Sequence, residues 1–325
     1  MDQIFQNFKH RFFDYKTIIS IIIAILILFF VFSKINFPGV VSTILNANLW
    51  WYSAAFIVYY ASFFIRGYRW KMILEQIQVN TKITTASGIV FVSYFANSIL
   101  PAKLGDVYKG YLAKKKYDIP VSKALGTIFV ERFYDFVLLI LIIALTGFYL
   151  LERKMPTSVL SALVIGLILC GGLILLLFIL LKKKDVLFNR FSDKYRTLFE
   201  NFHRGVAPTF TVRIGIPLVF LTIGIWFLES LCFLLVTMAI GVAVPITLIL
   251  FTAFVAALLT SIPLTPAGLG AVEFAIISIF LAFNYGTGQA GAIAIMDRFI
   301  TFWCLLIFGA VYILLKEFYM KDSAI

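Results

Sequence analysis

The stretch Pro101-Ala-Lys-Leu-Gly-Asp-Val107 occurs again later in the chain as Pro266-Ala-Gly-Leu-Gly-Ala-Val272. A second matched pair follows, Glu131-Arg-Phe-Tyr-Asp-Phe136 and Asp297-Arg-Phe-Ile-Thr-Phe302. The two pairs recur at offsets of 165 and 166 residues, which indicates an internal repeat. The simpler alternative, that both Pro-Gly stretches are only tight turns, leaves the matched charged motifs unexplained.

The composition places this repeat in a membrane. Of the 325 residues, 62% are hydrophobic and 14% are charged, whereas an ordinary soluble domain carries about 25% charged residues. Several charge-free runs approach the roughly 20 apolar residues that a membrane-spanning helix needs. The composition therefore excludes a soluble enzyme, a disordered chain and a nucleic-acid-binding module, despite the net charge of +12.

The basic residues predict the orientation. Of the 28 Lys and Arg, 23 fall in segments that can all lie on the cytoplasmic side, where positively charged loops are favoured. We therefore expect a multi-pass protein of the cell membrane with both termini in the cytoplasm. The sequence predicts about six full spans, at Thr17–Phe32, Leu49–Ile65, Ala124–Leu151, Thr157–Leu181, Ile214–Val242 and Ala290–Leu315.

Two apolar stretches do not fit a simple crossing. Ile83–Ala102 has basic residues on both flanks, so we expect it to enter the membrane, turn within the run and leave on the same side. Pro245–Asn284 is long enough for two short helices, and we expect a second re-entrant hairpin there, entered from outside. The predicted turn residues, which would act as gates, are Pro101, Gly105, Pro263, Pro266, Gly268 and Gly270.

The predicted fold class is an all-α polytopic membrane protein with a single transmembrane domain, residues 1–325. Repeat 1 covers about residues 49–151 and repeat 2 about residues 214–316, joined by a span and a basic cytoplasmic segment at 152–213. Because the two hairpins open to opposite sides, the repeats have inverted topology. Inverted repeats with broken helices are typical of transporters with a site near the middle of the membrane.

Ionisable residues inside the spans are the candidate binding residues, because a charge in a span usually faces a cavity or a partner. Each repeat has one arginine beside an acid, Arg132 and Arg298. Two compatible hypotheses stay open for them: ion pairs that lock neighbouring helices, or phosphate binding by the guanidinium fork. The full predicted substrate-binding set is Arg132, Arg298, Lys103, Glu131, Asp135, Asp297, Asp106, Glu273 and Asn97.

The remaining polar residues are not predicted to bind substrate. Arg66, Arg69 and Lys109 are expected at the membrane interface, since Arg66–Gln76 has the pattern of a basic interfacial helix. Glu229 is alone in its span, and we favour a helix contact over a proton relay for it. The two histidines and three cysteines show no metal-ligand spacing, so the sequence predicts no metal, cofactor or catalytic motif.

Together these motifs resemble a known family, the transmembrane region of lysylphosphatidylglycerol synthases and its stand-alone flippase-like relatives, over about residues 10–316. The residues that carry the resemblance are Arg66-Gly-Tyr-Arg-Trp70, Asn97-Ser-Ile-Leu-Pro-Ala-Lys-Leu-Gly-Asp106 with Tyr108-Lys109, Glu131-Arg132, and Pro263-Leu-Thr-Pro-Ala-Gly-Leu-Gly-Ala-Val-Glu273. The family's first loop more often reads Pro-Ala-Arg-Leu-Gly-Glu. Lys103 and Asp106 keep those charges but change the bidentate geometry.

The resemblance implies movement of lipids between leaflets, with aminoacylated phospholipids or polyprenyl-phosphate-linked sugars as the family's lipids. Because the chain ends at Ile325, we expect no soluble aminoacyl-transferase domain and no lysyl transfer. The expected partners are membrane lipids with an anionic or phosphate-bearing head group, and no nucleic acid. A homodimer, and functional coupling to a lipid-modifying or glycan-assembly enzyme, stay open.

Three functions remain. The preferred one is a non-enzymatic lipid flippase in which Arg132 and Arg298 hold the phosphate in turn. A membrane-embedded lipid-linked transferase is the first alternative, although the external loop Lys34–Leu49 contains no Asp or Glu to act as a catalytic carboxylate. The second alternative is a secondary transporter of a small soluble solute, which an inverted repeat supports equally well.

Overall fold

A computed structural model describes residues 36–100, 102–150, 157–182, 193–261 and 265–322, together with Ile22 and Leu26. Most of the predicted first span, Thr17–Phe32, and the predicted turn residues Pro101 and Pro263 lie outside the described residues. The described part of the chain is helical and contains no strand.

The α-helices are numbered here in chain order. They are α1 (Phe37–Leu45), α2 (Leu49–Gln76), α3 (Ile83–Ile99), α4 (Leu104–Tyr117), α5 (Val121–Leu150), α6 (Thr157–Lys182), α7 (Asp193–Val206), α8 (Val212–Ala239), α9 (Ile246–Ser261), α10 (Ala271–Ala282), α11 (Thr287–Arg298) and α12 (Cys304–Asp322). Short 3₁₀ segments lie at Ala207–Thr209 and Pro266–Gly268, and a π-helical segment, Phe299–Trp303, joins α11 to α12.

The exterior of the bundle is apolar. Among the described residues, three helical segments are long and apolar enough to cross a membrane: Val121–Leu150, Val212–Ala239 and Thr287–Leu315. Large apolar side chains face outward along them, whereas many charged side chains are buried. Because lipid cannot satisfy polar groups, an apolar exterior around a charged interior is the arrangement expected of a membrane-spanning helical protein.

Helix α2 is longer than the span predicted at Leu49–Ile65, and it continues without a break to Gln76. Arg66 and Arg69 are only 1% and 2% exposed, and Lys109 on α4 is 4% exposed. These three side chains are therefore buried in the protein interior, and their predicted depth at the membrane interface stays a prediction. Each of them has an acidic partner on another helix inside the protein, 22 to 163 residues away in the sequence.

The first hairpin differs from its prediction. Residues Ile83–Ile99 form one continuous helix, Ala102 and Lys103 lie in a turn, and the basic segment Leu104–Tyr117 forms the second limb. Hydropathy does not identify this limb because it is rich in charged residues, of which Asp106 and Lys109 form ion pairs with α5. Gly105, predicted to lie in the turn, is the second residue of α4.

The second hairpin has the predicted form of two short helices, α9 and α10. Its turn also has the local backbone of the first one. Ala102 and Lys103 both have φ 56°, while Ala267 and Gly268 have φ 45° and 70°. The repeated Pro-Ala-x-Leu-Gly sequence therefore has two consecutive left-handed residues in both places.

The predicted repeats have the same order of helix lengths. Helices α2 to α5 have 28, 17, 14 and 30 residues, and α8 to α10 have 28, 16 and 12 residues, followed by the 29-residue segment Thr287–Leu315. Their packing is also reciprocal, because α2 packs on α8, α5 on α9, and α12 on α3. Two units related by a two-fold axis produce such reciprocal contacts. Inversion across the membrane stays a prediction.

The two limbs of the first hairpin approach closely because position 105 is glycine. A Cβ atom at Gly105 would lie 2.3 Å from the backbone oxygen of Ser93 and 2.5 Å from the backbone nitrogen of Asn97. Carbon atoms do not approach backbone atoms this closely. A side chain here would therefore force α3 and α4 apart.

We predict that Gly105→Ala lowers the apparent melting temperature in detergent, since overpacking of this kind typically costs about 1–3 kcal/mol. Size-exclusion chromatography after heating measures the change. The matched control is Gly224→Ala in α8, where a Cβ meets no atom within 4 Å and alanine favours the helix. Equal melting temperatures for the two variants would contradict the close approach of the limbs.

Candidate functional site

A cavity of about 110 Å³ lies between the two predicted repeats. Side chains of α2, α3 and α5 line it from repeat 1, and side chains of α8, α9 and α11 line it from repeat 2. Helix α3 contacts the turn Pro266–Gly268, so the second hairpin tip lies against the first hairpin. Of the predicted substrate-binding residues, those on the cavity wall are Asn97, Lys103, Arg132, Asp297 and Arg298.

Arg132 is held by the first hairpin. Its Nε and Nη2 donate to the two carboxylate oxygens of Asp106 at 2.9 and 2.8 Å, and Asn97 Nδ2 donates to the same carboxylate at 2.9 Å. Asp106 lies in the first turn of α4, where the helix dipole favours a negative charge. The Arg132 side chain is 33% exposed, so it is anchored and still accessible from the cavity.

Arg298 is held in the same way by the second hairpin. Its Nε donates to Glu273 Oε1 at 2.9 Å, and its Nη2 donates to the backbone oxygen of Ala267 at 3.0 Å. Glu273 lies in the first turn of α10, where its other oxygen accepts a hydrogen bond from the Gly270 backbone nitrogen at 2.7 Å. Both motif arginines thus bind an acid in the first turn of the helix after a hairpin turn.

A second group of charges, centred on Asp135, lies behind the cavity. Arg69 Nη1 and Nη2 donate to the two oxygens of Asp135 at 2.7 and 3.0 Å. Trp226 Nε1 donates to the same carboxylate at 3.1 Å, and Thr222 accepts from Arg69 at 2.8 Å. Asp135, predicted to bind substrate, is therefore occupied by side chains of α2 and α8 and does not line the main cavity.

Glu131, like Asp135, is held by side chains of the protein interior. Lys109 Nζ lies 2.5 Å from its carboxylate and 4.3 Å from the centre of the Trp70 ring, so the ammonium is held by an acid and an aromatic face. Glu131 also does not line the main cavity. This pair connects α4 to α5 in the interior of repeat 1.

Arg66 and Glu229 form an ion pair on the cavity wall. Arg66 also donates to the Tyr94 hydroxyl at 2.5 Å, and its guanidinium carbon lies 4.9 and 5.6 Å from the ring centres of Tyr94 and Trp226. The predicted helix contact of Glu229 is thus confirmed. Its partner was missed because Arg66 was assigned to the surface.

Lys103 and Asp297 are the two charged cavity residues that form no ion pair in the described part of the chain. Lys103 has a left-handed backbone, which is strained for a residue other than glycine, and Gly268 occupies the matched position of the second turn. Asp297 is 8% exposed. These two side chains are the least satisfied charges of the site.

The π-helical segment shapes the wall beside Arg298. Two carbonyls of this segment accept hydrogen bonds from tyrosine hydroxyls of α2 at 3.2 Å, Ile300 from Tyr60 and Thr301 from Tyr59, and the Met296 carbonyl at the end of α11 accepts one from Tyr52 at 3.1 Å. Segments of this type often occur at functional sites. Nothing in the sequence marks this π turn in advance.

The apolar exterior and the charge-lined cavity define an all-helical membrane protein with an internal polar site. The family model described as the lysylphosphatidylglycerol synthase TM region matches residues 17–309, and the chain belongs to this family. UPF0104 membrane protein MJ1078 of Methanocaldococcus jannaschii is 33% identical over 227 residues, which are 69% of this chain and 94% of that protein. UPF0104 membrane protein MJ1595 of the same organism is 24% identical over 319 residues, 92% of this chain and 95% of that protein.

Another relative carries a functional name. Glycosyltransferase AglD of Haloferax volcanii is 25% identical over 292 residues, which are 78% of this chain and 47% of that protein. No solved structure matches the chain. Within the described residues, no group of three or more His, Cys, Asp or Glu is placed to hold a metal ion.

We predict that Asp135→Ala strongly destabilises the protein, because Arg69 would stay buried without its partner; breaking such a pair costs about 3–5 kcal/mol. The control is Glu75→Ala, which breaks the partly exposed Lys71–Glu75 pair, since exposed pairs contribute about 0–1 kcal/mol. Heating followed by size-exclusion chromatography measures both. If Asp135→Ala melts at the same temperature as Glu75→Ala, the buried pair has no structural role.

Proposed function

We propose that the protein moves the phosphate-bearing head group of a lipid between the two leaflets through the central cavity, while the lipid tails stay in the bilayer. The observation that carries the proposal is that the repeated arginines, Arg132 and Arg298, reach one cavity from the two repeats. A phosphate in this cavity meets one guanidinium from each side. Membership of the family and the position of both arginines on the cavity wall support the same function.

The hydrogen-bond geometry of both arginines suits a phosphate. Each of them uses Nε and Nη2 for its partners inside the protein. The Nη1 group of each has no hydrogen bond within the described residues and can donate to a phosphate oxygen. Charge-assisted hydrogen bonds from guanidinium to phosphate are among the strongest in proteins, so a carboxylate and a phosphate can share each arginine.

The size of the cavity indicates a closed state. At about 110 Å³ it is smaller than an ordinary ligand pocket of about 300–1,000 Å³. We therefore propose that the hairpins move apart to admit the head group. In the inverted arrangement with both termini in the cytoplasm, each hairpin opens the cavity to its own side, and the phosphate passes from one arginine to the other.

A membrane-embedded lipid-linked transferase is the second candidate, and the name of the Haloferax volcanii relative supports it. Both candidates need a phosphate-linked lipid in the cavity. They differ in the chemical outcome, because a transferase changes the covalent structure of the head group and a flippase leaves it intact. Mass spectrometry of the lipid after a transport assay distinguishes them.

We predict that the double variant Arg132→Gln/Asp106→Asn moves lipid about tenfold more slowly or worse, since a hydrogen bond to a charged group contributes about 1.5–3 kcal/mol. Removing both charges leaves no unpaired charge, so the fold is preserved. The assay follows fluorescent phosphatidylglycerol in proteoliposomes by its accessibility to dithionite. Arg298→Gln/Glu273→Gln should behave in the same way.

The matched control for these variants is Arg196→Gln/Glu200→Gln, which removes an exposed pair of α7 at 3.0 Å and should leave the rate unchanged. Wild-type rates in both cavity variants, with normal melting temperatures, would show that the arginines do not carry the head group. A change in the mass of the fluorescent lipid would favour the transferase.

Lys103 gives an independent test, because its strained backbone opposes stability while its ammonium adds positive charge to the cavity. We predict that Lys103→Gly melts no lower than wild type, since glycine accepts the left-handed conformation, yet moves lipid more slowly. The same proteoliposome assay and heating experiment measure the two effects. If the variant moves lipid as fast as wild type, Lys103 takes no part in lipid movement.

A further inference from the structure

Asp297 is a cavity carboxylate that the proposed phosphate pathway does not use, because it repels a phosphate. It is 8% exposed and faces the cavity from α11. No basic side chain of the described residues lies within ion-pair distance of it. The neighbouring Arg298 directs its guanidinium to Glu273. Asp297 is therefore a buried acid that forms no ion pair among the described residues.

The comparison of the two repeats shows why this acid has no basic partner. Its matched residue in repeat 1 is Glu131, which is neutralised by Lys109 at 2.5 Å. At offsets of 165 and 166 residues, the positions that match Lys109 in repeat 2 are Phe274 and Ala275. Repeat 2 has thus kept the acid and lacks the base. An isolated buried carboxylate is unfavourable and binds a proton or a cation instead.

The groups around Asp297 offset its charge only in part, through the neighbouring Arg298 and a hydrogen bond from Thr301. The titratable and charged side chains that face it or share its cavity are Tyr52, Tyr59 and Arg66 of α2, Tyr94 of α3, Glu229 and Cys232 of α8, Glu273 of α10, Arg298 of α11, and Lys103 and Arg132 across the cavity. Cys304 of α12 lies nearby, beside Tyr52, and α1 and α9 contain no titratable residue. The three arginines already pair with Glu229, Glu273 and Asp106.

A proton fits this site better than a metal ion or an ammonium group. A hard metal cation takes several oxygen ligands, and no group of three or more acids, His or Cys is assembled in the described part of the chain. An ammonium group donates three hydrogen bonds and would lie next to Arg298. A proton needs only one carboxylate oxygen.

We propose that Asp297 is the proton-binding site that couples head-group movement to a proton gradient. The carboxylate takes one proton from the aqueous solution as the anionic phosphate enters, which makes the cavity more positive. It releases that proton to the other side as the phosphate leaves, so one proton moves with each head group. The proposal rests on the proposed function, because it requires a lipid that moves through this cavity.

The first test detects the proton without any transport. Infrared difference spectra of the purified protein in phosphatidylglycerol nanodiscs, recorded as the pH is lowered, should contain the band of a buried protonated carboxyl group. This band should be absent in Asp297→Asn, shifted in Asp297→Glu and unchanged in the control Glu200→Gln. A spectrum of Asp297→Asn that equals that of wild type would overturn the proton site, and Asp297→Glu decides the question if the asparagine variant does not fold.

The second test measures coupling in proteoliposomes with fluorescent phosphatidylglycerol and an imposed pH gradient. With one proton per head group, one pH unit shifts the steady-state distribution of the lipid between leaflets by up to about tenfold. In Asp297→Asn the distribution should no longer respond to the gradient. Wild-type protein that moves lipid without any response to the gradient overturns the coupling and leaves the proposed function intact. If wild-type protein moves no lipid, the proposed function fails, and the infrared result alone decides whether Asp297 binds a proton.

Discussion

The pairing of buried charges is the constraint on which the rest of the structure depends. A charge inside an apolar bundle is costly unless an opposite charge lies beside it, so helices that carry such charges must meet at particular positions. Apolar faces alone would allow many packings, because leucine, isoleucine and phenylalanine surfaces are largely interchangeable. The pairs that specify neighbouring helices are Arg66–Glu229, Arg69–Asp135, Lys109–Glu131, Arg132–Asp106 and Arg298–Glu273.

The sequence predicts the features that depend on local pattern. Spacing and repetition predict two units that each contain long and short helices. They also predict the two short helices of Pro245–Asn284 and an acid next to each motif arginine. The pairing of Arg66 with Glu229 does not, because 163 residues separate them and only the packing of α2 on α8 brings them together. The second limb of the first hairpin was missed for a related reason, since its Lys109 looks like a surface residue until Glu131 is beside it.

The differences between the two repeats indicate where function lies. The turns have the same backbone, yet one has Lys103 and the other Gly268 at the same place. The motif acids are equivalent in position, yet Glu131 has a lysine partner and Asp297 has none. A buried charge without an ion-pair partner opposes folding. The two unpaired charges lie on the cavity wall, where a ligand can compensate them.

In the proposed function, the ion pairs also give the cavity a means to open. The acids that hold Arg132 and Arg298 belong to the hairpins, so each pair fastens a hairpin to a long helix. A phosphate that binds the same guanidinium replaces part of the attraction that the carboxylate supplies. Loosening the hairpin therefore costs less when the head group is present than when the cavity is empty. A ligand shifts a conformational equilibrium only by its difference in affinity for the two states. When the phosphate takes over part of the carboxylate's role at the arginine, it supplies such a difference at the ion pair that holds the hairpin.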